Sequence, residues 1–201
     1  MATSPVRVGF GNTLPGHRSP AVGPEAPFDM LEACHERVQR SLQLLQKLQT
    51  HLVEKGHDAS AVQAAQDVLR YFNLAAPLHH QDEELHVFPP LLALKDTALT
   101  TAVQQLISDH RSMELAWGPA AAVLQYIAAA VAPRPEAAGG AVVIWQPLDA
   151  TQTASLQKFV ALYGPHIETE EGVVYPRARA LLQGTDLQAM SADMVNRRTG
   201  H

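Results

Sequence analysis

The protein has 201 residues, of which 46% are hydrophobic and 17% charged, with a formal net charge of −5. That length allows one domain with a sizeable core, and the acidic balance argues against nucleic acid or an anionic membrane as a partner. The single cysteine, Cys34, excludes an internal disulfide framework, and no apolar run is long enough for a membrane span or a signal peptide. We therefore expect a cytoplasmic protein.

The first half of the chain predicts a tail and two helices. Residues 1–26 are rich in Pro, Gly and Ser and lack an apolar period, so we expect a flexible N-terminal tail. Leucine and valine at helical spacing predict a first helix over about 28–55. A second helix is predicted over about 61–88, with Pro89 and Pro90 as its stop.

The second half predicts two further helices and a second tail. A third helix is predicted over about 97–131, and the Pro-, Gly- and Ala-rich stretch 133–147 is expected to form a loop. Asp149, with a glutamine three residues on, resembles a capping box that opens a fourth helix over about 150–182. Residues 185–201 are expected to form a C-terminal tail.

These four helices predict the fold class. Two of the three connections are short, which makes successive helices antiparallel, and the third is longer. Strand signals are limited to an isolated apolar run at 141–144. Residues 27–184 are therefore predicted to form an all-α, antiparallel up-down-up-down four-helix bundle.

The second and fourth helices carry the same eleven-residue pattern. Starting at His79 and at His166, both read His-x-x-x-Glu-Glu-x-x-apolar-aromatic-Pro. Residues i and i+4 share a helix face, so His79 with Glu83, and His166 with Glu170, each present an imidazole nitrogen and a carboxylate to one point. Imidazole suits iron, zinc or copper, and a carboxylate can bridge two cations. Two pairs in matched register favour a metal centre over solvated surface pairs.

The first and third helices each add one histidine on a predicted inward face. A lone inward histidine is usually a hydrogen-bonded core residue, but their positions on the two remaining helices favour a role as ligands. Six candidate metal ligands from four helices result: His35, His79, Glu83, His110, His166 and Glu170.

Some neighbouring residues compete for a role. His80 and Glu84 are also spaced i,i+4, but Ile167 stands where the fourth helix would need a second histidine, so the pattern favours His79. His80 and Glu84 are then expected to support the centre. Tyr163, one turn before His166, is expected either to line the cavity or to pack in the core.

A ferritin-like di-iron bundle is the alternative architecture. Such bundles need Glu-x-x-His on two helices and a lone glutamate on each of the others. The chain has this spacing at Glu32 and at Glu83, but on the first and second helices, where that fold needs the second and fourth. The connection between the second and third helices is also too short for the long crossover of that fold.

The sequence resembles hemerythrin-like domains, also described as HHE cation-binding domains, over about residues 28–183. The two His-x-x-x-Glu-Glu segments carry the resemblance, together with Cys34-His35 and Asp109-His110. The resemblance implies an antiparallel four-helix bundle that holds two iron ions joined by an oxo or hydroxo bridge. It also implies that this centre reacts with dioxygen or nitric oxide.

The chain departs from the oxygen-carrying hemerythrins on its third helix. Those proteins place two histidines one turn apart there, whereas the positions one turn before and after His110 are Leu106 and Glu114. One iron is therefore expected to keep a water or to take Glu114. This departure argues against simple reversible oxygen carriage.

The expected function is that of a non-haem di-iron protein that binds O2 or NO in redox or oxygen sensing, or in protection. The alternatives are a di-iron enzyme acting on NO, peroxide or O2 or aiding iron–sulfur repair, and iron storage. No flavin, haem or nucleotide motif identifies an electron donor. The only predicted partner is a small diatomic ligand.

Overall fold

The computed structural model describes residues 26–131 and 143–199. The predicted N-terminal tail, except for its last residue, and most of the predicted loop 133–147 lie outside the described residues. The α-helices, in chain order, are α1 Pro27–Glu54, α2 Ala59–Asp82, α3 Phe88–Ala93, α4 Thr97–Ala129, α5 Ala150–Ala161, α6 Tyr163–Thr169, α7 Tyr175–Leu181 and α8 Thr185–Thr199. Within the described ranges, none of these helices is both long and apolar enough to cross a membrane.

Two short π-helical segments join helices end to end. Glu83–Val87 links α2 to α3, and Glu170–Val174 links α6 to α7. The bundle therefore has four arms, which we call arm 1 (α1), arm 2 (α2 to α3), arm 3 (α4) and arm 4 (α5 to α7). Arm 1 packs on arm 2, arm 2 on arm 3, and arm 3 on arm 4. The predicted all-α bundle is confirmed.

Capping aspartates fix where three of the helices begin. Asp96 accepts a hydrogen bond from the backbone N–H of Leu99 at the start of α4. At the start of α5, Asp149 and Gln152 form the predicted capping box, in which each side chain accepts from the other residue's backbone N–H. Asp58 caps α2 in the same way as Asp96 caps α4. These contacts satisfy backbone donors that the first helical turn leaves unpaired.

The apolar core is divided into two clusters. The upper cluster lies between the second halves of arms 1 and 3 and the first halves of arms 2 and 4, and Leu45, Val68, Leu124 and Phe159 are typical members. The lower cluster lies near the proline-containing ends of arms 2 and 4, and its members include Leu31, Val87, Leu106 and Val174. Between the two clusters, arms 1 and 3 each carry one buried polar residue, arm 4 carries two and arm 2 carries four. The site described below is that polar layer.

The prediction that the proline pair ends the second helix is wrong, since α3 continues the arm to Ala93. Proline lacks a backbone N–H, and its ring collides with the carbonyl four residues earlier in an α-helix. The π segments open the helix just before the prolines: the Phe88 N–H bonds the Glu83 carbonyl, and the Tyr175 N–H bonds the Glu170 carbonyl, each five residues back. Each proline then occupies the first turn of a new α-helix, where no N–H is needed.

The predicted C-terminal tail is also wrong over residues 185–199, which form α8. Gly184, with a φ of 56°, turns the chain before that helix. Met190 and Met194 are buried against the lower cluster. Two methionines give α8 a narrow apolar stripe, so its helical order depends on the surface it covers, and periodicity alone did not reveal it.

Candidate metal centre

Among the described residues, eight polar or charged side chains are buried in the layer between the two clusters or at its edge, each with 8% or less of its surface exposed. They include all six predicted ligands. The eight are His35, His79, His80, Asp82, Glu83, His110, His166 and Glu170. Since charged groups are rarely buried without a partner, this layer requires a physical explanation.

Seven of these side chains form two groups whose potential ligand atoms lie within 4.8 Å of one another. The first group, called the two-histidine group, consists of His35, His79, Glu83 and Glu170. The second, called the three-histidine group, consists of His80, His110 and His166. The first group draws its donor atoms from arms 1, 2 and 4 and the second from arms 2, 3 and 4, so neither group exists before the arms pack.

The two carboxylates lie between the groups. Glu83 places Oε1 3.5 Å from His79 Nε2 and Oε2 3.5 Å from His110 Nε2. Glu170 places Oε2 3.0 Å from His35 Nε2 and Oε1 3.1 Å from His166 Nε2. Each carboxylate therefore turns one oxygen towards each histidine group. This is the arrangement in which a carboxylate bridges two cations.

Two histidines are held by carboxylates on the outer side of the layer, and a third faces a carboxylate there. Glu171 Oε1 lies 2.9 Å from His35 Nδ1, and Glu84 Oε1 lies 2.9 Å from His110 Nδ1. An Nδ1–H that donates to a carboxylate leaves the Nε2 lone pair free to face inward, as in a ligand histidine. Asp109 Oδ2 stands 3.5 Å from His166 Nδ1 on the same outer side.

Two inward nitrogens lie within hydrogen-bond distance of each other. His110 Nε2 and His166 Nε2 are 3.2 Å apart; with Nδ1 protonated on His110, only His166 can donate in this contact, and a cation bound by both lone pairs would replace it. Among the described residues, both nitrogens of His79, Oε2 of Glu83 and both oxygens of Glu170 have no hydrogen-bond partner. Buried acceptors without donors are costly. A metal ion at each group would satisfy them, so the donor set fits two cations.

Burial and charge set the protonation of the layer. Burial, with the facing Glu170 carboxylate, raises the pKa of Glu83 well above its ordinary value. Burial would also raise the pKa of Glu170, but contacts with His110, His166 and His35 outweigh it and lower that pKa well below the ordinary value. Burial lowers the pKa of His79, which keeps it in the neutral form that binds metal.

Two aromatic residues occupy equivalent places beside the groups. Tyr175 stacks on His35 with ring centroids 5.5 Å apart, and Phe88 stacks on His110 at 5.8 Å. The Tyr175 hydroxyl also donates to Glu83, a contact that phenylalanine cannot make. The repeated pattern predicted only an aromatic residue at these two positions. The change from Phe88 to Tyr175 was the signal in the sequence that could have indicated a polar contact.

The structure brings His80 into the layer, although the register with Ile167 favoured His79 alone. The His80 ring stacks on His110 at 3.9 Å, within the three-histidine group. Successive residues of a helix point about 100° apart, so His79 and His80 reach two neighbouring groups from one turn of α2. Arm 2 therefore brings two histidines to the layer, whereas arm 4 brings one.

The other candidate residues lie around the layer. Glu84, expected as a supporting residue, holds His110 and accepts a hydrogen bond from Arg111. The structure does not bring Glu114 to the layer, because its side chain is 56% exposed and pairs with Arg111. Tyr163 was expected either to line a cavity or to pack in the core. It does both, because it belongs to the upper cluster and lines a cavity beside His80.

The ferritin-like pattern is not assembled. Glu32 pairs with Arg179 at the surface, and His86 pairs with Asp193 of α8. Neither residue is among the buried polar side chains. Glu83 serves the layer, but together with His79 rather than His86.

The buried histidines and carboxylates between packed helices define a metal-binding helical bundle as the class of protein. The family model described as hemerythrin HHE cation-binding domain matches residues 26–178. The chain belongs to this family, and the predicted resemblance is confirmed. An uncharacterized protein of Haemophilus influenzae is 28% identical over 172 residues, which cover 86% of this chain and 90% of that protein.

Proposed function

We propose that this chain is a non-haem di-iron protein whose centre binds O2 or NO. The observation that supports this proposal most strongly is the placement of Glu83 and Glu170, each with one oxygen towards each histidine group. Two shared carboxylates require two cations close together. Imidazole and carboxylate donors without thiolates suit iron, which the family resemblance also favours.

The proposed ligands divide between the two iron positions. His35 and His79 would hold one iron, and the three-histidine group would hold the other. Glu83 and Glu170 would be shared. Oxygen carriers have two histidines on the third helix. His80 would take the place of the one that is missing here, so neither Glu114 nor a water is needed as a substitute ligand.

Bound iron would supply one-electron chemistry and an attachment point for a diatomic ligand. The chain's own residues prepare the place for it. Glu84 orients His110, Glu171 orients His35, and the Tyr175 hydroxyl donates a hydrogen bond to Glu83. The two apolar clusters above and below the layer limit the entry of water. We further propose a cytoplasmic role in sensing or protection, with a small diatomic molecule as partner.

The test is anaerobic purification followed by metal analysis and titration with O2 and NO. About two iron ions per chain, and near-ultraviolet charge-transfer absorption after oxidation, are the expected results. One zinc ion per chain would overturn the di-iron proposal. Two iron ions that react with neither gas would retain the metal centre and favour iron storage. Repeated consumption of either gas with an added reductant would instead favour an enzyme.

A further inference from the structure

A cavity of about 170 Å³ reaches from the surface to His80. It lies between arms 2, 3 and 4, and its wall includes His80 but neither His35 nor His79. The cavity therefore approaches the three-histidine group only. O2 and NO are far smaller than this volume, so the diatomic ligands of the proposed function do not account for its size.

Four aromatic side chains line the cavity: Phe72, Trp117, Phe159 and Tyr163. The ring centroids of Phe72 and Phe159 are 4.9 Å apart, those of Trp117 and Phe159 5.0 Å, and those of Phe159 and Tyr163 5.3 Å. The Trp117 indole N–H donates to Asn73 at 2.9 Å, which fixes the orientation of that ring. Such a wall is preformed and apolar, as ligand cavities usually are.

The charged residues lie at the mouth. Arg111 donates to Glu114 at 2.6 Å and to Glu84 at 2.5 Å. Its guanidinium is thus paired with two carboxylates, and the three side chains together carry one net negative charge. The mouth therefore disfavours an anionic ligand, and the aromatic wall disfavours any ion that must lose its water. Inside, His80 supplies a polar atom at the end of the cavity.

We propose that this cavity binds a neutral, single-ring aromatic molecule with one polar substituent, of the size and polarity of phenol. An apolar cavity of about 150 Å³ holds benzene, so the volume admits one ring and excludes two fused rings. The polar substituent lies towards His80, where the apolar wall ends. The assignment goes beyond the proposed function, because it requires no metal in the centre.

The test is calorimetric titration of the full-length protein with phenol, before and after removal of metal by a chelator. Saturable binding at one site is expected in both forms. Ala76 is 4% exposed and lines the cavity, so Ala76→Leu fills it and should weaken phenol binding at least tenfold. Ala75 borders the groove between α1 and α2 instead, and Ala75→Leu is the matched control that should leave binding unchanged.

Ligand size and charge give a second test on the unaltered sequence, which decides the matter if Ala76→Leu does not fold. Benzoate and 2-naphthol should each bind at least tenfold more weakly than phenol. Phenol should also quench the fluorescence of Trp117, observed alone in a Trp145→Phe variant. Three results would overturn the proposal, whatever the metal content: equal phenol binding by the Ala76→Leu and Ala75→Leu variants, benzoate binding as tight as that of phenol, or phenol binding that does not saturate.

Discussion

At the scale of single residues, the two copies of the repeated motif do the same work with small differences. Glu84 and Glu171 are equivalent, and each accepts a hydrogen bond from the Nδ1–H of a histidine on a neighbouring arm. The copies differ where His80 stands in one and Ile167 in the other. They differ again at Phe88 and Tyr175, where the second copy has an additional hydroxyl. These substitutions make the two proposed metal positions chemically unlike.

His80→Ala tests whether that residue is a ligand. His80 supplies one of the three histidine nitrogens of its group. Two bridging carboxylates imply about two ions per chain in the unaltered protein, and we expect the substitution to lower this content to about one. The measurement is metal analysis after anaerobic iron loading. His86→Ala, on the same arm but paired with Asp193 of α8, is the control and should retain both ions. Loss of iron from the control alone would favour the ferritin-like pattern instead.

A second residue-scale prediction concerns pH. The raised pKa of Glu83 means that the metal-free protein holds a proton there between the ordinary glutamate pKa and the raised value. Iron must displace this proton, so affinity should rise with pH in that window, by up to about tenfold per pH unit for one proton. Over the same window the free energy of unfolding of the metal-free protein should fall as pH rises, since the folded state binds more protons.

Calorimetric titrations in buffers of different ionisation enthalpy would count the released proton. Glu83→Gln has no proton to lose and should abolish that release, although it also weakens binding. The Tyr175 hydrogen bond lowers the pKa of Glu83 against the effect of burial. Tyr175→Phe should therefore move the window to higher pH. An affinity for iron that does not change with pH would contradict the assignment of the proton to Glu83.

At the scale of elements, α8 contacts arm 2 beside the buried polar layer. Asp82 is fully buried and lies next to Glu83. It accepts hydrogen bonds from Arg198 and forms an ion pair with Arg197 at 2.6 Å. The family model ends at residue 178, before α8 begins. α8 therefore lies beyond the matched residues, and it contacts both α1 and α2.

Replacing both arginines by alanine should destabilise the protein by about 3–5 kcal/mol, because it leaves the Asp82 carboxylate buried without a cation. Urea unfolding followed by circular dichroism would measure the loss. Adding Asp82→Asn to the double variant should recover part of it, since the buried charge is then removed. Arg177→Ala, at an exposed position of α7, is the control. An effect of the double variant no larger than that of this control would show that α8 contributes little to stability.

At the scale of the whole molecule, the polar layer divides an apolar core that is otherwise continuous through the bundle. Both clusters remain when metal is removed, so we expect the metal-free protein to stay helical. It should unfold at a lower temperature, because only the folded state assembles the full ligand set. Ligand at 100 to 1,000 times its dissociation constant stabilises the folded state by about 3–4 kcal/mol.

Thermal unfolding with and without iron, followed by circular dichroism, measures this difference. The double variant His79→Ala, Glu83→Ala should show the same melting temperature in both conditions, because it lacks one terminal and one shared ligand. Identical melting temperatures for the unaltered protein would indicate that the buried layer does not hold metal. Loss of helical structure on iron removal would show that the two clusters cannot maintain the fold alone.

The sequence by itself determined the four main helical segments, the capping box at Asp149, and the layer in which the candidate centre lies. Helical periodicity and i,i+4 spacing are local properties, so the repeat at His79 and His166 was sufficient to place histidine and glutamate on one face of each arm. The family resemblance followed from the same residues.

Only the tertiary structure decided which second residue joins them. The role of His80 depends on how arm 2 is rotated between arms 3 and 4, and that of Tyr175 depends on its reach to Glu83 on another arm. The π segments and α8 were missed for the same reason. Their order is stabilised by contacts distant in sequence, and these contacts override local propensity and are not contained in the spacing of any one helix.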